Sequence, residues 1–259
     1  MSIAEHARQA GRRRGQLQQW RDGIALVRAD RGPFAAYWAR RNEWALAGSG
    51  PLWVALGDSA AQGLGAAHPE DGYVGQARAR LVRRSGRAWR VLNLSRSGAT
   101  ISDVLAEQLP VLAALPAPPA LVTCGVGTND LLRAPLPRVR AAFRTLIDAL
   151  PGNTVMLDIP LPRGRWGIGR LAVPYVERAN STIYAAARAR RLPVAYVSRH
   201  FTPPWAGKFG ADDFHPSGEG YRDWCRAVLR AAPDLSLPVR AVPVPGGAGT
   251  ATMEYESAA

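Results

Sequence analysis

The sequence predicts an α/β fold in which a five-stranded parallel sheet is covered by helices and preceded by a helical arm. Three observations carry that expectation. The run Leu52 to Leu56 is wholly apolar and leads straight into Gly57-Asp58-Ser59, as a strand buried on both faces does. Further short apolar runs then alternate with stretches of helical periodicity, the pattern of right-handed β-α-β crossovers. Finally, clusters of chemistry-bearing residues fall where these strands end, and open α/β sheets bind ligands beyond the carboxyl ends of their strands.

Taken in order, residues 1–48 read as a helical arm. Ile3, Ala7, Ala10, Leu17, Trp20, Ile24 and Val27 lie near helical spacing with arginines between them. Gly32-Pro33 is expected to break the run. A second helix is expected over Phe34 to Ala47, anchored by Tyr37, Trp38 and Trp44. Packing on the core domain suits this arm; a basic amphipathic helix also suits contact with an anionic membrane surface.

The catalytic domain is expected over residues 49–232. Strands are placed at Leu52–Leu56, Trp89–Leu94, Ala120–Cys124, Thr154–Ile159 and Pro193–Val197. Helices are placed at Asp71–Arg84, Ile101–Leu115 (bent or ended near Pro110), Pro137–Leu150, Val173–Arg191 and Ser217–Ala232. The tail, 233–259, is rich in Pro, Gly, Ala and Ser and is expected to be disordered.

Composition narrows the function. At 259 residues and 47% hydrophobic content the chain can bury a sizeable core. No apolar run approaches the roughly 18 residues of a membrane span, and the polar, arginine-rich start lacks the apolar core of a secretory signal, so a cytoplasmic protein is expected. Cys124 and Cys225 read as buried free thiols. The net charge of +13 raises nucleic acid as a partner. Against it, the cations are spread over the whole chain, Lys208 is the single lysine, and no nucleic-acid-binding signature accompanies them. No His-Glu-x-x-His, P-loop, Gly-x-Ser-x-Gly or complete dinucleotide loop occurs, so neither a metal nor a cofactor is implied.

The clusters are Gly57-Asp58-Ser59, Asn93 to Thr100, Gly125 to Asp130, and Asp212-Asp213-Phe214-His215. A serine needs a base to become a nucleophile, and a histidine base needs a carboxylate to fix its tautomer. Asp212 and His215, three residues apart, can face one another. A developing oxyanion needs fixed donors, which a backbone N–H at Gly98 and the Asn129 amide could supply. Asp58 and Ser59 would equally suit a helix cap.

In order and separation, Gly57-Asp58-Ser59, Gly98, Gly127-Thr128-Asn129-Asp130 and Asp212-Asp213-Phe214-His215 resemble the four blocks of the SGNH hydrolases, or GDSL-type lipases and esterases. The resemblance spans roughly residues 51–231. It implies a flavodoxin-like three-layer α/β/α sandwich. It implies Ser59 as nucleophile, His215 as base and Asp212 as its partner, with an oxyanion hole from the Ser59 and Gly98 N–H groups and Asn129. Asp58 and Asp130 are expected to brace their loops.

The expected reaction is cleavage of a small carboxylic ester through an acyl-enzyme. Carbohydrate O-deacetylase and lysophospholipase or thioesterase activities are alternatives on the same site, and a non-catalytic basic adaptor is the alternative of another class. Trp166, Trp205, Arg163 and His200 are candidate substrate-lining residues, from loops that also carry Arg165, Lys208 and Phe209. Oligomeric state is not legible in the chain.

Overall fold

The computed structural model describes residues 18–161 and 169–232. The first helix, α1 (18–29), is followed after one residue by α2 (Arg31–Ala47). The sheet is formed by β1 (Leu52–Gly57), β2 (Arg90–Asn93), β3 (Leu121–Gly125), β4 (Thr154–Leu157) and β5 (Val194–Ala195). All neighbouring pairs are parallel and the spatial order is β2-β1-β3-β4-β5. This order is flavodoxin-like, with its topological switch between β1 and β3.

Side-chain alternation divides the core into two halves. Trp53 and Ala55 of β1 join Leu121, Val155 and Ala195 in one cluster, while Val54 and Leu56 join Val122, Cys124 and Met156 in the other. The first cluster is covered by α2, α4 (Tyr73–Ser85) and α11 (Gly218–Ala231), through Trp38, Tyr73, Leu81, Tyr221 and Trp224. The second is covered by α8 (Leu136–Ala149) and α9 (Gly169–Ala189), through Phe143, Ile147, Ala179 and Ile183. Cys124 and Cys225 are free and buried on opposite faces.

Between β2 and β3 the expected long helix is divided. It begins as α5 (Ile101–Asp103), widens to a π turn over Val104–Gln108 and ends as α6 (Leu109–Ala113). The widening comes just before Pro110, which cannot donate to the preceding turn. The remaining short helices are α3 (Ser59–Gln62), a 3₁₀ turn (Pro69–Asp71), α7 (Thr128–Arg133) and α10 (Val197–His200).

The arm departs from expectation in two places. Its break falls at Asp30, and Gly32-Pro33 lies inside the first turn of α2, where proline's missing N–H sacrifices no helical bond. Trp44 is no anchor: it is 65% exposed, with the Arg41 guanidinium above its ring. The anchors are Trp38, whose indole donates to Gln62 O at 2.9 Å, and Tyr37, whose hydroxyl donates to Glu70. The segment 1–17 and the tail 233–259 lie outside the described residues.

Phe143 supports the site from below. It is fully buried, and its ring tip would lie 2.3 Å from a Cβ built on Gly127, the residue that opens α7. Phe143→Ala is expected to lower stability by about 3–5 kcal/mol, read from urea unfolding; a loss below about 1 kcal/mol would show that the ring is not a core support.

Candidate active site

β1 ends at Gly57, with a φ of +147°, where a Cβ would meet Gly125 O at 2.3 Å. The strand must turn here beside its neighbour, and a side chain would block it. The chain then enters α3, with Asp58 as N-cap: its Oδ1 accepts the Ala60 N–H at 3.0 Å. Ser59 is thereby the first helical residue, and its own N–H has no intrahelical acceptor. The cap and nucleophile readings are thus divided between adjacent residues.

His215 and Asp212 arrive from the loop ahead of α11. Asp212 Oδ1 accepts the N–H groups of Phe214 (3.1 Å) and His215 (2.9 Å), which winds the loop into a tight turn. That turn directs Asp212 Oδ2 at His215 Nδ1, 2.6 Å away. His215 Nε2 lies 2.9 Å from Ser59 Oγ. Ser59, His215 and Asp212 are thus placed for a Ser–His–Asp triad, and all three are buried. Asp213 is held at φ +52° and makes no bond to the imidazole.

The other two clusters close around this triad. Arg96 N–H donates to Gly57 O at 3.2 Å, bringing the β2–α5 loop and Gly98 beside the nucleophile turn. Asn129, on α7 after β3, donates from Nδ2 to Ala99 O at 3.0 Å, with Asp58 Oδ2 3.5 Å away. Asp130 accepts the Ile101 N–H with both carboxylate oxygens, tying α5 to α7.

Environment sorts the carboxylates. Burial pushes Asp58 up to about 6, against the opposing pull of the Ala60 N–H and His215; Asp130 nearby adds to the rise. Burial likewise raises Asp130, countered in part by the Ile101 N–H. Asp212 is also driven up by burial, but the bond to His215, its charge and the two loop N–H groups together hold Asp212 below its ordinary value.

The substrate-lining candidates fare unevenly. Trp166 and Arg163, with Arg165, lie outside the described residues. Trp205 is half-buried and packs edge-on against Phe201, with Phe209 as a further neighbour. His200 Nδ1 bonds Tyr196 O at 2.9 Å. Lys208 does not face the site: it is buried, bonding Thr202 O and Asp223, and so ties the loop to α11. Phe214 lies at the triad instead, 52% exposed with its ring edge-on to His215.

Two residues support the site in ways the sequence did not show, Gln108 with no local signal and Asn93 only as a member of the cluster Asn93 to Thr100. Gln108, in the π turn, accepts the Gly57 N–H at 2.8 Å and donates to Gly57 O at 2.9 Å. Asn93, at the end of β2, donates to Ala61 O at 2.8 Å and accepts from Ser95 through both its N–H and its hydroxyl.

Comparisons with known proteins agree with this geometry. Residues 55–222 match the sequence model of the GDSL-like lipase/acylhydrolase family. Among solved structures, TesA has a TM-score of 0.59 at 24% identity, over 71% of this chain and 99% of its own. A lipase from a goat rumen metagenome, Lip_vut3, has a TM-score of 0.59 at 16% identity, over 71% and 99%. A variant of Axe2, an acetyl xylan esterase from Geobacillus stearothermophilus, has a TM-score of 0.59 at 22% identity, over 75% and 99%. At these identities the likeness is one of fold. No curated protein sequence gives a significant match.

The raised Asp58 makes a pH prediction. Between its unfolded value near 3.8 and its folded value of about 6, the native protein keeps a proton that the unfolded chain releases. Stability owed to this residue therefore falls as pH rises through that window. Asp58→Asn removes the effect, so its stability relative to wild type should improve by about 2–3 kcal/mol from about pH 4 to about pH 7.5. Urea unfolding of both proteins at the two pH values measures this; a constant offset would contradict it.

Proposed function

The chain belongs to the GDSL-like lipase/acylhydrolase family, serine hydrolases acting on esters, and we propose that it cleaves carboxylic esters through an acyl-enzyme formed on Ser59. The observation that carries this reading is the unbroken relay from Ser59 Oγ to His215 Nε2 (2.9 Å) and from His215 Nδ1 to Asp212 Oδ2 (2.6 Å).

His215 Nε2 takes the Ser59 proton as Oγ attacks the ester carbonyl. Asp212 keeps Nδ1 protonated and stabilises the imidazolium that forms; its own lowered proton affinity keeps it anionic for that role. The oxyanion is received by the Ser59 and Gly98 N–H groups and by Asn129 Nδ2, which keeps its bond to Ala99 O and exchanges its long bond to Asp58 Oδ2 (3.5 Å) for the oxyanion. The tetrahedral intermediate collapses as His215 passes its proton to the leaving alcohol. Water, deprotonated by His215, then attacks the acyl carbon and releases Ser59.

Phe214, exposed beside His215, supplies an apolar surface for the acyl chain or for the ring of a leaving group. Acetylated sugars are one substrate class, suggested by the acetyl xylan esterase among the structural neighbours; lipid esters are the other. Trp205 and His200 are retained as substrate-lining proposals on the adjoining loop. A cytoplasmic location is the expectation from the sequence. Among the described residues no helix is long and apolar enough to cross a membrane.

Wild-type protein should hydrolyse short-chain p-nitrophenyl esters, and Ser59→Ala should lose that activity; turnover surviving in purified Ser59→Ala would refute the assignment. Asn129→Ala should lower kcat by about 10²–10³ with little change in KM, and an unchanged kcat would remove Asn129 from the oxyanion site. A panel of acetylated xylosides and long-chain acyl esters separates the two substrate classes by kcat/KM.

A further inference from the structure

The arm lies ahead of the family match, which begins at residue 55, yet it touches every segment that carries the triad. The first contact is on the acid loop. Gly23 of α1 is buried against the backbone of Ala211, the residue before Asp212: a Cβ at Gly23 would lie 1.8 Å from Ala211 O and 3.2 Å from Asp212 N. No side chain larger than hydrogen allows the helix this approach.

The second contact backs His215. Val27 and Phe34, one from each arm helix, enclose the fully buried Leu64 in a small core of their own. The next residue, Gly65, packs so closely on His215 that a Cβ there would lie 2.6 Å from the His215 Cβ.

The third contact holds the nucleophile turn. Trp38 Nε1 donates to the carbonyl of Gln62, the last residue of the helix that Ser59 begins. Asn42 brackets Asn93, accepting its N–H at 2.7 Å and donating to its carbonyl at 2.8 Å. Asn93 in turn holds Ala61 O.

We infer that the arm is a working part of the active site, with Gly23, Trp38 and Asn42 as positioning residues that hold Ser59, His215 and Asp212 in register. The inference rests on the proposed ester chemistry for its purpose. Its geometric content is narrower: the triad comes from two segments far apart in the chain, the turn at Ser59 and the loop carrying Asp212 and His215, and the arm touches both. Displacements on the order of 1 Å in such a relay can cost about 100-fold in rate, so loosening the arm should slow the nucleophile before it unfolds the domain.

The test uses the full chain and a fluorophosphonate probe, reading both the rate constant for labelling Ser59 and the fraction labelled at completion. Gly23→Val should lower the rate about tenfold or more, and Trp38→Phe, which removes the indole donor and leaves a smaller ring in its place, about threefold. Both should still label to completion. A purely structural arm would leave the rate unchanged and reduce only the labelled fraction, and that result overturns the inference. Rates within about twofold of wild type in both variants overturn it equally. If Gly23→Val does not fold, Trp38→Phe decides alone. Failure of the ester reading is separate: wild-type Ser59 would then label while no ester in the panel is turned over.

Discussion

The rest of the site depends on how β1 stops. A strand in the middle of a parallel sheet cannot simply end, because its last N–H and C=O are buried and need partners. At Gly57 the neighbouring strand β2 has already finished at Asn93, so on that side the partner is a side chain. The Gln108 amide takes the Gly57 N–H and returns a bond to its carbonyl, as a strand residue would. Arg96 N–H shares that carbonyl. Gly57 is thereby fixed from one side by a helix, from the other by Gly125, and the next two residues leave the sheet in one direction only. Everything catalytic is hung from that turn. Asp58 caps α3, Ser59 faces His215, and Asn129 reaches back across the switch point between β1 and β3.

Four aspartates sit buried at this edge, and their neighbours separate their tasks. Asp58, Asp130 and Asp158 each accept a backbone N–H, from Ala60, Ile101 and Ser198 respectively, and burial raises all three. They fix loops. Asp212 accepts two backbone N–H groups as well, but it alone faces an imidazole, and that partner reverses the direction of its shift. Similar side chains thus serve structure or chemistry according to what lies opposite, a division that recurs where one site needs carboxylates in different states.

The triad was legible because its members sit in short local patterns. Asp212 and His215 are three residues apart, and Ser59 follows an apolar run that reads as a buried strand. The sheet was legible for the same reason, with boundaries shifted by a residue or two, which leaves β5 only Val194–Ala195. The tasks of Gln108 and Asn93 were not, since each works through a contact 51 or 32 residues away that no local pattern announces. Lys208 was misread because the lone lysine in an aromatic loop looks like a surface cation. Its partner, Asp223, is on a different element and becomes visible only when α11 packs against the loop. Trp44 failed as an anchor because two tryptophans on one helix, six residues apart, point to different sides, and Trp38 took the buried one.

The arginine excess also has a structural reading that composition could not supply. Several guanidinium groups donate to the carbonyls that helices leave unpaired at their carboxyl ends. Arg90 donates to Ala45 O, in the last turn of α2, and to Gly50 O just beyond it. Arg190, one residue past α9, donates to Asp148 O and Leu150 O at the end of α8. Arg133 donates to Gly98 O at 3.2 Å, across from the nucleophile. The planar fork suits this work because one side chain can meet two carbonyls at once, which an ammonium on a single stem does less well. A share of the arginines therefore has a structural task, closing helix ends and steadying the Gly98 loop. The carbonyls are neutral and leave the charge of +13 in place, but the chemistry of the buried relay, rather than the net charge, is the better guide to what the protein acts on.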